Sequence, residues 1–275
     1  MNIACSTLSY RGYPLSEALK NIAGVGIKRV ELCVDPLHSD PNRWKEGTEG
    51  IKSLLENSGL VLNSIHVPLP EEIPDTPYDM VREQWYRSTR RSIELAAMLG
   101  APFVVQHVRV IGTLGVAVAG ETLPDLCEVA RYAETKRIKV AIENVPTVKE
   151  RMLGARIEEV IEVVDMLPEK TVGICLDLSH CLACGRDPVE ALESVDVRRL
   201  LSIHASDNRM NLLRDVHLPL GSGDIPWKRI LETLEYIGFN GSFVIEVADE
   251  GRSKGKALKE SLEFLRGIYR FDEWL

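Results

Sequence analysis

Histidine and carboxylate residues recur along this chain at the ends of short apolar runs. From the third run onward, every run ends in such a residue, and these are His66, His107, Glu143, Asp177, His204 and Glu246. Imidazole and carboxylate groups bind divalent cations and are also the usual acids and bases of catalysis. The pattern therefore points to metal-dependent chemistry.

Further residues of the same types follow the sixth and seventh runs. His180 lies three residues after Asp177 in the segment GICLDLSH, and Asp215 and His217 follow the seventh run. Taken singly, such a histidine is more typical of a hydrogen-bonded core residue, and such a carboxylate of a loop cap. Several carboxylates that meet at one place repel one another, and burying them without partners is costly. A divalent cation is the simplest way to hold them together, so we predict a metal site.

The apolar runs predict the elements that must position these groups. The runs FVVQ, VAIE, VGICLD, LLSIH and FVIE are continuous rather than alternating, which is typical of parallel strands buried on both faces. The first two runs end near Ser6 and Cys33, and the whole series repeats about every 34 residues, the length of a β-loop-α unit. Helical periodicity lies between the runs, at 79–99, 122–137, 157–167 and 256–270.

Eight such units predict an α/β fold, a (β/α)8 TIM barrel that forms a single domain over residues 1–275. The alternative, an open doubly wound sheet, usually carries a glycine-rich first turn, and the opening MNIACSTLSYRGY has none. In a barrel the carboxyl ends of the strands meet at one mouth, so the residues that end the runs should converge there.

Composition and charge narrow the class of protein. The chain has 275 residues, of which 45% are hydrophobic and 27% charged, the ordinary globular balance. The net charge of −8 disfavours a nucleic-acid partner, although a protein with a negative net charge can still carry one basic face. The chain contains no apolar run of about 18 residues and no signal-peptide pattern, and its six cysteines are too few for a disulfide scaffold. We therefore expect a cytoplasmic protein without a membrane partner.

The motifs IENVP, GICLDLSH, SIHASDN, HLPLGSGDIPW and FVIEV resemble the xylose-isomerase-like barrel superfamily, and the resemblance covers essentially the whole chain. That superfamily includes sugar and sugar phosphate isomerases and epimerases as well as AP endonucleases of the endonuclease IV type. For a sugar enzyme, the resemblance implies one divalent ion bound by Glu143, Asp177, His204 and Glu246.

A metal site of this kind suits manganese, magnesium, cobalt or zinc. The ion would polarise a carbonyl as a Lewis acid and stabilise an enediolate. Glu143 and Glu246 lie on strands three apart in the ring, so they are the expected general base and acid. His180 is expected to orient a ligand or a substrate oxygen.

An AP endonuclease is the alternative function. The resemblance implies that its zinc cluster would use the same four ligands together with His66, His107, His180, Asp215 and His217, and all of these types are present. Other features favour a sugar or polyol substrate over DNA. Four acids lie in 71–79 after the third run, and the segment 221–227 is closer to the isomerase pattern. Val108-Arg109 follows His107, where the endonucleases usually have Pro-Gly.

Two loops suggest further binding functions. Arg252 and Lys254 lie in the loop 249–256 after the eighth run, where barrels often bind an anionic or phosphorylated end of a substrate. A solvated basic turn explains this loop equally well. The apolar loop 111–120 would suit a lid or a contact between copies of the chain, that is, a homo-oligomer, and core packing explains it equally well.

Overall fold

Strands and helices alternate along the chain as the apolar runs predict. The computed structural model describes residues 1–33, 47–68, 78–108, 119–146, 154–210, 212, 214–248 and 255–270. The strands are β1 Asn2–Ser6, β2 Arg29–Leu32, β3 Val61–His66, β4 Phe103–His107, β5 Lys139–Glu143, β6 Val172–Asp177, β7 Leu200–Ala205 and β8 Ser242–Ile245. The α-helices are α1 Leu15–Gly24, α2 Gly47–Ser58, α3 Tyr78–Leu99, α4 Ala119–Lys136, α5 Ile157–Asp165, α6 Leu178–Ala183, α7 Pro188–Ser194, α8 Trp227–Tyr236 and α9 Lys256–Ile268. A short 3-10 helix covers Thr7–Tyr10.

The strands form one closed parallel barrel. Each strand pairs with its neighbours in sequence order, and β1 pairs with β8 to close the ring. The predicted (β/α)8 barrel is therefore confirmed. The register places His107 opposite Glu143 and Asp177 opposite His204, so the two residues of each pair lie level with one another at the mouth.

Apolar side chains form a floor beneath the ends of β4, β5 and β6. Phe103, Val105, Ala141 and Cys175 form a buried cluster of their own. Side chains on a strand alternate between its two faces, so Val105 shares a face with His107, Ala141 with Glu143, and Cys175 with Asp177. His107, Glu143 and Asp177 thus stand on this apolar floor, where charge interactions are poorly screened by water.

The observed strand ends lie within one residue of the predicted ends. The largest difference from the sequence prediction follows β6, where the chain forms the short helices α6 and α7. Asp177 caps α6 by accepting a hydrogen bond from the backbone N–H of His180. Among the described residues, no helix is both long and apolar enough to cross a membrane.

Candidate metal centre

Among the described residues, the predicted ligands form three groups at the mouth of the barrel that could hold a metal ion, and a fourth group combines Cys175 with Glu143 and His204. Within each group, one ligand atom from every member lies within 4.8 Å of the others. The groups are Glu143, Asp177, His204 and Glu246; then His66, His107 and Glu143; and then His180, Asp215 and His217. All nine sequence-predicted ligands therefore belong to at least one group.

Glu143 is the residue on which the first two groups meet, and it is fully buried. His66 Nε2 and His107 Nε2 lie 2.9 and 2.8 Å from one carboxylate oxygen, Oε2. The other oxygen, Oε1, lies 2.8 Å from His204 Nδ1, and Glu246 Oε2 lies 2.8 Å from the same nitrogen. Ser6 Oγ donates a hydrogen bond to the remaining oxygen of Glu246 at 3.2 Å.

Unsatisfied atoms show that the first group suits a cation. Glu143 Oε1, Asp177 Oδ2 and His204 Nδ1 are buried, and none makes a hydrogen bond of acceptable geometry, although Glu143 Oε1 and His204 Nδ1 lie 2.8 Å apart. Leaving such atoms unpaired costs about 1–3 kcal/mol each. All three are ligand atoms, and a divalent ion among them would satisfy them together. The donor set, three carboxylates and one imidazole, suits a hard or borderline divalent ion.

The third group lies beside the first and is tied to it. Asp215 Oδ2 contacts His217 Nε2 at 2.6 Å and His180 Nε2 at 3.3 Å, and Ser179 Oγ donates to Asp215 Oδ1 at 3.0 Å. His217 Nδ1 lies 2.9 Å from the backbone carbonyl of Glu246. The backbone of His217 has a φ of 41°, a left-handed conformation that costs energy for a residue with a Cβ. Such strain is common at functional sites.

Burial and neighbouring charges shift the pKa values of these carboxyl groups in different directions. Burial opposes ionisation of Glu143, but His204, His107 and His66 outweigh it and hold its pKa well below the usual range. The same balance of burial against His204 lowers the pKa of Glu246 to about 2. For Asp177, the effect of burial is larger than the attraction of His180, so the pKa is raised. Asp177 is thus the carboxylate that most lacks a cation.

The pKa values of the histidines differ as well. Burial lowers the pKa of His107 despite the attraction of Glu143. Burial also opposes the charged form of His66, but Glu143, Glu246 and Glu31 together outweigh it and raise the pKa. Burial is likewise outweighed at His180, whose pKa is raised well above the usual range by Asp177 and Asp215. Burial opposes the charged form of His217, but Asp215, Glu246 and Asp177 together outweigh it and raise the pKa to about 9. A bound cation would compete with these protons.

Asn144 is a site residue that the sequence reasoning missed. Its side chain accepts a hydrogen bond from the backbone N–H of Asp177 at 2.8 Å and donates to the carbonyl of Asp177 at 2.9 Å. The backbone carbonyl of Asn144 lies 2.8 Å from His180 Nδ1. Asn144 therefore holds both residues in place, and its position directly after Glu143 in IENVP was the available signal.

Asp207 orders the loop that carries Asp215 and His217, and it was missed too. Its buried carboxylate accepts hydrogen bonds from the backbone N–H groups of Asn208, Gly221 and Ile225 and from Trp227 Nε1. A Cβ added at Gly223 would overlap both Asp207 and the carbonyl of Asn208. Gly223 of the GSGD segment therefore allows the loop to fold tightly around this carboxylate, whereas a Cβ at Gly221 would overlap the ring of Phe264.

Glu31 of β2 is the third residue that was missed. It is fully buried, and its carboxylate lies 3.2 Å from His204 Nε2. A carboxylate inside the apolar run RVEL was the signal in the sequence.

Two of the predicted loops lie outside the residues whose side chains the structure describes. They are the anion-binding loop with Arg252 and Lys254, and the acidic loop with the four acids of 71–79, and both stay predictions.

Comparison with known proteins places the chain in a family. A family profile described as xylose isomerase-like TIM barrel matches residues 19–268. The uncharacterised protein MJ1311 of Methanocaldococcus jannaschii is 32% identical over 96% of this chain and 90% of its own length. A probable endonuclease 4 of Mycobacterium leprae is 24% identical over 82% of this chain and 86% of its own length.

Solved structures with the same fold include proteins named for sugar chemistry and for zinc. The crystal structure of a D-tagatose 3-epimerase-like protein has a TM-score of 0.79 and 26% identity, and the match covers 98% of this chain and 97% of that one. The crystal structure of the IOLI protein with a bound zinc atom has a TM-score of 0.78 and 17% identity, with 100% and 99% covered. At 17% identity, this second likeness concerns the fold alone.

Proposed function

The chain belongs to the xylose isomerase-like TIM barrel family, and on that premise we propose that it is a divalent-metal-dependent isomerase or epimerase of a sugar or sugar phosphate. The observation that carries the proposal is the convergence of Glu143, Asp177, His204 and Glu246, whose ligand atoms include buried atoms without other partners. The likeness to a D-tagatose 3-epimerase-like protein over nearly the whole of both chains supports it.

These four residues would hold the ion, with manganese, magnesium, cobalt and zinc all compatible with the donor set. The bound cation would supply Lewis-acid polarisation of a substrate carbonyl, which makes the neighbouring C–H bond more acidic. The surrounding chain contributes the apolar floor beneath the site, which strengthens charge interactions at the mouth.

The two glutamates are the proposed proton-transfer groups. Glu246 turns Oε2 toward His204 and Oε1 toward Ser6, so Oε1 is the atom that would take a proton from the substrate. Glu143, on β5 and three strands away in the ring, would be the second proton-transfer group. A proton on Glu143 Oε2 can pass to His66 or His107, since both rings contact that oxygen. His180, whose ring is held by Asn144 and Asp215, would orient the ligand Asp177, since its Nε2 lies 3.7 Å from Asp177 Oδ2.

A zinc-dependent phosphodiesterase of the AP endonuclease type is the second candidate. The specific observation in its favour is the pair of additional groups, His66, His107 and Glu143, and His180, Asp215 and His217. Together with the first group they offer places for more than one ion, as two-metal phosphodiesterases require. The relatives named probable endonuclease 4 point the same way. The net charge of −8 weighs against a DNA substrate.

Metal analysis of the purified protein separates the two candidates. A sugar enzyme should bind one divalent ion at high affinity, and His66→Ala or His107→Ala should leave that count at one. A nuclease should bind two or three zinc ions, and either substitution should lower the count. Asp177→Asn and His204→Ala should lose the ion of the first group in both cases.

Activity assays complete the experiment. The same preparations are tested on a panel of ketoses and ketose phosphates and on duplex DNA that contains an abasic site. Epimerisation or isomerisation that EDTA abolishes supports the first candidate, and zinc-dependent incision of the abasic strand supports the second. A protein that binds no divalent metal above stray levels, and whose activities EDTA leaves unchanged, would refute both.

A further inference from the structure

Glu31 lies on the opposite side of the His204 ring from the proposed metal ligands. His204 Nε2 is 3.2 Å from Glu31 Oε1 and 3.4 Å from Oε2. The other ring nitrogen, Nδ1, faces Glu143 Oε1 and Glu246 Oε2 at 2.8 Å each. The imidazole therefore stands between two carboxylate environments, and each of its nitrogens faces only one of them.

A chain of hydrogen bonds fixes the Glu31 carboxylate independently of His204. Ser64, its neighbour in β3, donates from Oγ to Glu31 Oε2 at 2.6 Å. Asn63 Nδ2 donates to Ser64 Oγ at 2.8 Å, and Ser242 Oγ donates to Asn63 Oδ1 at 2.7 Å. These residues come from β2, β3 and β8, so the barrel wall itself sets the position of the carboxylate.

Burying this carboxylate is expensive. Glu31 and His204 are both fully buried, and a buried charge costs several kcal/mol unless a partner compensates it. An apolar residue would fill a strand position such as this one at no such cost. A contact that fixes a metal-binding histidine would explain why a carboxylate occupies this position.

We propose that Glu31 is a positioning residue of the metal centre, which accepts the Nε2–H of His204 and so leaves Nδ1 as the ligand nitrogen. This inference rests on the metal site of the proposed function. A carboxylate on the outer nitrogen of a ligating histidine fixes its tautomer, restricts rotation of its ring and makes it a more basic ligand. Of the four proposed ligands, His204 is the one whose ring nitrogen lies beside the Glu31 carboxylate.

The test compares Glu31→Gln with Asp125→Asn. Glutamine keeps the size of Glu31 but removes its charge, and its amide can present a donor to His204 Nε2. Asp125 is an equally suitable buried carboxylate for a control, because it pairs with Arg82 between the outer helices α3 and α4 and belongs to none of the ligand groups at the mouth. Affinity for Co²⁺ and Zn²⁺ is measured by competition with a chromophoric chelator. Glu31→Gln should weaken binding by about 10- to 100-fold, and Asp125→Asn should leave it unchanged.

A second readout reports on the hydrogen bond itself. In the Co²⁺-loaded protein, the Nε2–H of a ligating histidine gives a strongly shifted proton resonance that disappears in D₂O. In Glu31→Gln the His204 resonance should move and exchange faster with solvent, whereas in Asp125→Asn it should stay in place. A role confined to stability would not change this signal.

The outcomes separate this inference from the proposed function. If the unaltered protein binds no divalent ion, the proposed function fails. If it binds an ion, and Glu31→Gln has the same affinity and the same resonance, only the role of Glu31 fails. An equal loss of affinity in Asp125→Asn would also overturn it, since the effect would then be general. If Glu31→Gln does not fold, Ser64→Ala removes the 2.6 Å donor and should weaken binding in the same direction.

Discussion

Replacing Asn144 by leucine should destabilise the protein strongly, because leucine has a similar volume but no hydrogen-bonding groups. The side chain of Asn144 is the partner of two backbone groups of Asp177, its N–H at 2.8 Å and its carbonyl at 2.9 Å. Both residues are buried, so water cannot easily replace the lost partner. Each orphaned group costs about 1–3 kcal/mol, so Asn144→Leu should lower the free energy of unfolding by about 2–6 kcal/mol. That is a large share of the roughly 5–15 kcal/mol that is typical of a folded protein.

The assay is urea unfolding followed by circular dichroism, in EDTA and at fixed pH. The matched control is Asn21→Leu, since Asn21 also donates from Nδ2 to a backbone carbonyl, that of Glu17 at 2.7 Å, but in a half-buried helix. Water can replace that bond, so the control should change stability by no more than about 0.5 kcal/mol.

Metal binding supplies a second measurement on the same variants. Zinc at 100 times its dissociation constant stabilises a binding protein by about 2.7 kcal/mol. This increment should be smaller in Asn144→Leu, because Asp177 is then no longer held in place, and unchanged in Asn21→Leu. A loss below about 1 kcal/mol, or a loss equal to that of the control, would refute the reasoning.

Other predictions concern catalysis, pH, the anion loop and domain structure. Glu143→Gln and Glu246→Gln should each lower kcat by about 10²- to 10⁴-fold while the protein keeps bound metal, and a variant with full turnover would show that its glutamate transfers no proton. In metal-free protein, the raised pKa of His217 contributes stability that is complete below its ordinary value of 6.5 and is lost as the pH rises through about 9. Urea midpoints in EDTA should therefore fall over that range, and the fall should be smaller in His217→Asn. Arg252→Ala combined with Lys254→Ala should raise KM for a phosphorylated sugar more than for a neutral one, and equal effects would mean that the loop binds no anion. Limited proteolysis should not release two stable halves, because one barrel closes only when β1 pairs with β8.

The sequence by itself determined the architecture and the ligand types. Continuous apolar runs at regular spacing require parallel strands that are covered by helices, and eight of them close into a ring. Each strand end could be located because a polar residue stops an apolar run, as at His107 and Glu143. These signals are local, so they can be read along the chain without knowledge of what each residue contacts.

Only the tertiary structure decided how the ligand types are grouped and supported. Glu31 and His204 are 173 residues apart in sequence, and the pattern around either one says nothing about the other. Which oxygen of Glu143 faces the two histidines, and which faces His204, likewise depends on the register of the closed barrel. The physical reason is that hydrophobic burial fixes each strand locally, whereas the partners of a buried polar group are chosen by the strands that the barrel brings together.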